Sequence, residues 1–358
     1  MALVFMFRNK CYLELHHSQS GKGFCKAGEH ENKRLFSLFR LLCSGTCAFF
    51  VLFCTNTAVL AQYEPQFSQN MFNKTALNPA FAGSSGRVNL SAIDRSQLVG
   101  VEGAPRTTVV GGDMATNILG SRSAVGLTIM NDVAGFSNKL TINGLIARHY
   151  FLDEGILGIG LSVGIVNEVY DGTKLVFKPS DSSYHNDTDP AASNTKETDI
   201  APDAGFGVSY IHPDFYAGIS ILHLFEPKQN FNEQIDVYIP RSFFFTAGYL
   251  HRMVENPIDL RPSVLIKKAG TLWQFDFNVN VYLREKYWAG LSYRLEDAFA
   301  VMAGFEMNNG LRVGYCYDIS TSGLSKVARG GAHEIMLGYT FDLSLEKRDK
   351  RYKSVRFL

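Results

Sequence analysis

The sequence predicts an all-β protein, a transmembrane antiparallel outer-membrane β-barrel of about fourteen strands. Three observations carry this. An export signal precedes the body of the chain, the body alternates apolar and polar residues in segments long enough to cross a bilayer, and the long connections fall only after odd-numbered segments.

The export signal comes first. Lys33, Arg34 and Arg40 lead into an apolar run from Leu41 to Leu60, which closes on Ala58-Val59-Leu60-Ala61, a small-x-small site that would leave Gln62 as the new N-terminus. The competing reading is a helical anchor. Cys, Ser, Gly, Thr and Asn interrupt the run, which favours the signal. Residues 1–61 are therefore read as an N-terminal extension and signal peptide. Five of the six cysteines fall within it, leaving Cys316 alone in the mature chain, with no disulfide framework and no Cys metal site expected. Lys and Arg together number 35 and Asp and Glu 34, so the basic excess of a nucleic-acid binder is missing. Mean hydropathy is near zero, far from that of a helical membrane protein, but it suits a barrel in which only every second strand residue meets lipid.

Alternation governs the chain from Arg87 onward. Phe275, Phe277, Val279, Val281 and Leu283 share one parity, and Gln274, Asp276, Asn278 and Asn280 the other. Leu157 to Ile165 interleave with Gly158, Gly160, Ser162 and Gly164. The same pattern runs through Leu311–Asp318 and Glu334–Leu343. Segments begin near Arg87, Arg106, Arg122, Lys139, Gly155, Ile200, Phe215, Arg241, Ile258, Leu272, Lys286, Ala298, Leu311 and His333. Ten residues suffice for a tilted strand to cross the bilayer, and an even count allows closure, which removes exposed edges. A soluble β-sandwich also alternates, but its outward face should carry many Lys and Glu. Here the non-apolar face is rich in Gly, Ser, Asn and Thr. The connections after even-numbered segments are tight, such as His212-Pro213-Asp214 and Asn308-Asn309-Gly310. Asp171 to Asp199, Phe225 to Pro240 and Thr321 to Gly331 are long. With both termini in the periplasm, the connections after even-numbered segments should be the short periplasmic ones, and the parity matches. Tyr150, Phe151, Tyr170, Tyr210, Phe215, Tyr216 and Trp288 are read either as interface girdles or as packing residues. The barrel is assigned to 87–345. The basic tail 346–358 is read as either a solvated end or a contact for an acidic periplasmic partner.

Enzymatic chemistry is not predicted. Gly160-Leu161-Ser162-Val163-Gly164 matches a nucleophile-elbow pattern, but it sits inside an alternating strand rather than at a strand–turn–helix. His333-Glu334 lacks a second His four residues on, so no zincin site forms, and no catalytic, cofactor or metal residues are assigned.

The two ends of the mature chain carry more than strand pattern. Pro65-Gln66-Phe67-Ser68-Gln69 leads to Leu77-Asn78-Pro79-Ala80-Phe81-Ala82-Gly83. Then follow Arg95-Ser96-Gln97-Leu98-Val99-Gly100 and Gly103-Ala104-Pro105-Arg106. Near the C-terminus stand Tyr317-Asp318, Thr321-Ser322-Gly323-Leu324-Ser325-Lys326 and His333-Glu334-Ile335. The succession resembles the PorP/SprF family of Bacteroidota outer-membrane proteins, from about Gln62 to the C-terminus. The middle agrees only in strand pattern. Leu98 stands where the family often has Trp, and Lys74-Thr75-Ala76 where a Pro is common.

The resemblance implies a component of type IX secretion and gliding motility at the outer membrane, assisting export or anchoring of a cognate large surface protein such as an adhesin. Its implied partners are outer-membrane lipid, that secreted protein, and periplasmic or peptidoglycan-linking secretion components. The motif residues are then expected to serve structure or partner contact. A passive porin or hydrophobic-solute transporter is the alternative. Residues 62–86 are too irregular for a strand, and Asn78-Pro79 marks a turn. The segment is expected either to plug the barrel, to cap its periplasmic mouth, or merely to lead into strand one.

Overall fold

A computed structural model describes residues 64–342, apart from 119, 175–194, 233–234, 254–255 and 322–329. The signal region 1–61, the basic tail 346–358, Ser322, Gly323 and Leu324 lie outside the described residues. Three short turns of helix, Asn70–Phe72, Lys74–Leu77 and Pro79–Phe81, come first. The first seven strands follow: β1 (Val88–Ser96), β2 (Arg106–Ile118), β3 (Ser121–Ala134), β4 (Ser137–Leu152), β5 (Gly155–Asp171), β6 (Lys196–Ile211) and β7 (Phe215–Leu222). A separate hairpin, β8 (Lys228–Asn232) and β9 (Ile235–Tyr238), occupies the connection expected to be loop. Then come β10 (Ser242–Tyr249), its two-residue continuation β11 (His251–Arg252), β12 (Ile258–Ala269), β13 (Leu272–Leu283), β14 (Tyr287–Arg294), β15 (Ala298–Glu306), β16 (Leu311–Ser320) and β17 (Ala332–Phe341).

Neighbours in sequence pair antiparallel, β10 pairs with both β7 and β12, and β1 pairs with β17. With β10 and β11 counted as one, the result is a closed ring of fourteen strands, as the alternation predicts. Closure satisfies every strand edge, which an apolar solvent demands. β4, β5 and β6 run to 16 or 17 residues, longer than the ten expected.

Burial is inverted relative to a soluble protein. Val163, Ile219 and Leu337 face outward, while Asp276, Asn278 and Asn280 are buried. On β13, Val279 is 44 % exposed and its neighbour Asn278 1 %. Lipid explains the apolar outside, and the ring interior holds the polar parity. The inside is not uniformly polar, however. Ile93, Val109, Met302, Met336 and Trp288 point inward and form an apolar cluster. Trp288 is thereby removed from the girdle reading, since it lies inside the ring 4.8 Å from the Phe72 ring, whereas Tyr150, Phe151 and Phe215 are exposed.

Tight connections at 119–120, 153–154, 212–214, 284–286 and 307–310 share one mouth with the start of β1 and the end of β17. The strand ends flanking the long connections 97–105, 172–195, 223–241 and 321–331 lie at the other, together with tight turns at 135–136, 270–271 and 295–297. The first mouth is periplasmic and the second outward-facing, by the length rule for these barrels.

Candidate functional site

The chain ahead of β1 lies against the inner wall of the ring. Phe67 is buried in the inward apolar cluster, and Met71, Phe72 and Ala76 pack onto it. Inward apolar residues on a face expected to be polar thus have a physical cause, because they meet the segment rather than water.

Polar contacts anchor the same segment. The backbone N–H groups of Ser68 and Gln69 donate to the two carboxylate oxygens of Glu334 at 2.9 and 2.8 Å. The Ser68 hydroxyl donates to Asp318 at 2.7 Å and accepts from Arg95 and Arg294, both at 3.1 Å. Arg95 and Glu334 are register partners across the β1–β17 seam, and their side chains pair at 3.1 Å. Arg95 also meets Asp318 at 2.6 Å, and Arg294 meets Asp276 at 3.4 Å. These five charged side chains are nearly excluded from solvent. Each charge has an opposite partner, as burial at low dielectric requires. Cys316, free and buried, donates its thiol to Asp318 at 3.2 Å.

Toward the outward mouth, Glu64 meets His223 at 2.6 Å, and His223 meets Asp203 at 2.7 Å. Lys267 donates to the Glu64 carbonyl at 3.1 Å. Burial alone would raise the Glu64 carboxyl and lower the His223 imidazolium. The charges of His223, Lys139 and Lys267 instead hold Glu64 at about 2, and Glu64 with Asp203 lifts His223 to about 9. Both groups lie outside the strands, Glu64 in the N-terminal segment and His223 one residue beyond β7.

Toward the periplasmic mouth the segment turns at Asn78-Pro79. The Asn78 amide donates to the carbonyls of Val208 and Ile219, both at 3.1 Å, while its oxygen accepts from the Ala80 N–H. The turn needs a wall without side chains. A Cβ at Gly160 would collide with the backbone of Pro79 and Ala80, one at Gly207 with the Asn78 side chain, and one at Gly218 would come 2.8 Å from Phe81. Gly83 is in the left-handed region (φ +62°) and donates its N–H to Asp113 at 2.7 Å, just before the chain enters β1.

The residues singled out from sequence fall into groups. Gln66, Phe67, Ser68, Gln69, Arg95 and Glu334 converge inside the ring with Pro65 beside them, although Ser68 and Glu334 are 266 positions apart. Asn78, Pro79 and Gly83 line the wall of β2 and β5–β7. Gln97, Gly100, Gly103 and Pro105 lie apart, in the outward loop between β1 and β2, where Gln97 N–H donates to the Pro105 carbonyl. His333 faces away from Glu334 and pairs with the Tyr315 hydroxyl at 2.6 Å. Glu64, His223, Asp203 and Arg294 were not singled out. The available signal was charged residues on or beside inward parity, each with a partner distant in sequence. Ser162 lies within unbroken β5, which runs on to Asp171, so no sharp strand–turn–helix forms at Ser162. Among the described residues no group of His, Cys, Asp and Glu is arranged to hold a metal.

A family model described as Type IX secretion system membrane protein PorP/SprF matches residues 59–339. No curated protein matches the chain. Among solved structures, the CymD monoaromatic hydrocarbon channel has 12% identity and a TM-score of 0.44, covering 77% of this chain and 93% of that one. The Ralstonia pickettii toluene transporter TbuX has 10% identity and a TM-score of 0.43 over 75% and 93%. The Acinetobacter baumannii outer membrane protein Omp33 has 6% identity and a TM-score of 0.41 over 72% and 98%.

Proposed function

We propose, from the premise that this chain belongs to the PorP/SprF family of type IX secretion system membrane proteins, that it is an accessory barrel of that machinery. Its task is to assist export or surface anchoring of a cognate large surface protein, such as an adhesin, and not to conduct solutes. The observation that carries this reading is the filled interior, where a buried charged network ties Ser68 and Gln69 to the seam between the first and last strands. A barrel of fourteen strands has room for a lumen. Here residues 64–86 are read as a plug, since Phe67, Met71, Phe72 and Ala76 pack in the inward apolar cluster where the alternative, a passive porin or hydrophobic-solute transporter, would need a lumen. The barrel then works as a membrane-held platform, with its periplasmic face turned to periplasmic or peptidoglycan-linking secretion components.

The test is deletion of the gene followed by surface proteomics, with the wild-type gene restored as control. Loss of one large surface protein, with solute uptake unchanged, is the expected result. An unchanged surface proteome overturns the reading.

A further inference from the structure

A cavity of about 440 Å³ opens at the periplasmic mouth beside the turn 212–214 and is lined by the N-terminal segment at Phe72, Lys74 and Phe81. Its volume suits two or three side chains. Three cations share it, each over an aromatic ring: Lys74 lies 3.4 Å from the Tyr216 ring centre, Arg261 3.8 Å from that of Tyr282 and Arg312 5.5 Å from that of Phe72. Arg261 pairs with Asp259 at 3.1 Å and Arg312 with Glu306 at 2.9 Å. Asp214, also in the lining, is engaged by Arg252 at 2.9 Å and lies 3.9 Å from His212. Among the described residues Lys74 has no carboxylate within ion-pair distance, so the chamber holds one cation more than its acids answer. Burial, and then the charges of Arg261 and Arg312, push the Lys74 ammonium down to about 7, the mark of a cation lacking its counter-ion.

We propose that this chamber takes the C-terminal carboxylate of an apolar peptide end belonging to a protein partner, with the carboxylate on Lys74 and the apolar side chains against Phe72, Phe81 and Tyr216. One unanswered cation calls for one anionic group, which a chain end carries together with apolar side chains for the aromatic lining, and a cavity of about 440 Å³ is too small for the two strands of a hairpin. The proposal rests on the export reading, which supplies a protein partner on this side of the membrane.

The test titrates the full mature chain in detergent with acetyl-Leu-Val-Phe as the free acid, with the same peptide as its C-terminal amide, and with inorganic phosphate. The acid is expected to bind at least about tenfold more tightly than the amide or phosphate. Lys74→Met should erase that preference without changing amide binding, and Lys74→Arg should keep it. Equal binding of acid and amide, phosphate matching the acid, or an unaltered preference in Lys74→Met would overturn the proposal. Should Lys74→Met fail to fold, the acid-to-amide ratio of the wild-type chain decides alone. Equal binding alongside loss of the surface protein on gene deletion removes the chamber's role and leaves the export reading standing. An acid preference alongside an unchanged surface proteome does the reverse.

Discussion

Glu334 joins two tasks at one position. It closes the seam by pairing with Arg95 on the opposite strand, and it holds the segment by accepting from the backbone of Ser68 and Gln69. Glu334→Gln removes the charge that Ser68, Gln69 and Arg95 share, while Arg95 keeps Asp318. It is therefore expected to destabilise the protein by about 1.5–3 kcal/mol and to expose residues 64–86 to protease while the ring persists. A change below about 0.5 kcal/mol, with the segment still protected, would show that the network is not what holds it. His223 gives a pH-dependent counterpart. Its pKa is raised on folding to about 9, so its contribution is complete below about 6.5 and is lost as pH climbs through 9. Glu64 is depressed to about 2, so its share is complete above about 4.5 and is lost only as pH falls toward 2. The urea midpoint of His223→Gln should fall below that of wild type by a margin that is largest near pH 6 and shrinks by pH 10. A margin independent of pH would contradict the assignment of charge.

At the scale of elements, β5, β6 and β7 pair a lipid face of large apolar side chains with an inner face of glycine, and the two have separate causes. The outer face answers to hydrocarbon. The inner face answers to the Asn78-Pro79 turn, which approaches Gly160, Gly207 and Gly218. Gly160→Val should cost about 1–3 kcal/mol through overpacking and shift the segment, read as raised protease sensitivity near Ala80. Gly144→Val, at a position whose nearest neighbour is the Val163 carbonyl at 3.6 Å and not the segment, should leave that sensitivity unchanged. Equal effects of the two changes would refute the division. The strand starts were legible in sequence because alternation is a local signal; β2, β5, β7, β12, β13, β15 and β16 begin at the residues the pattern indicates. The β8–β9 hairpin was missed because the Phe225–Pro240 stretch offers no run of alternation as long as a spanning strand. The convergence of Ser68, Arg95, Asp318 and Glu334 was missed for another reason. Closure of the ring makes the first and last strands neighbours, and no spacing along the chain encodes which inward charges will face each other. The motifs at the two ends were visible, but not that they meet.

Across the whole molecule one solvent requirement orders everything else. Hydrocarbon outside forces strand edges to close and apolar side chains outward. Closure then creates an interior that must hold water or protein. Phe67, Met71, Phe72 and Ala76 pack on the cluster of Ile93, Met302, Met336 and Trp288, so protein occupies part of it. The direct measurement is planar-bilayer conductance of the mature chain beside a chain lacking residues 62–86. The mature chain is predicted to give no steady open-pore current, and the shortened chain to give discrete, long-lived steps. Steady conductance from the mature chain, unaltered by the deletion, would contradict the account.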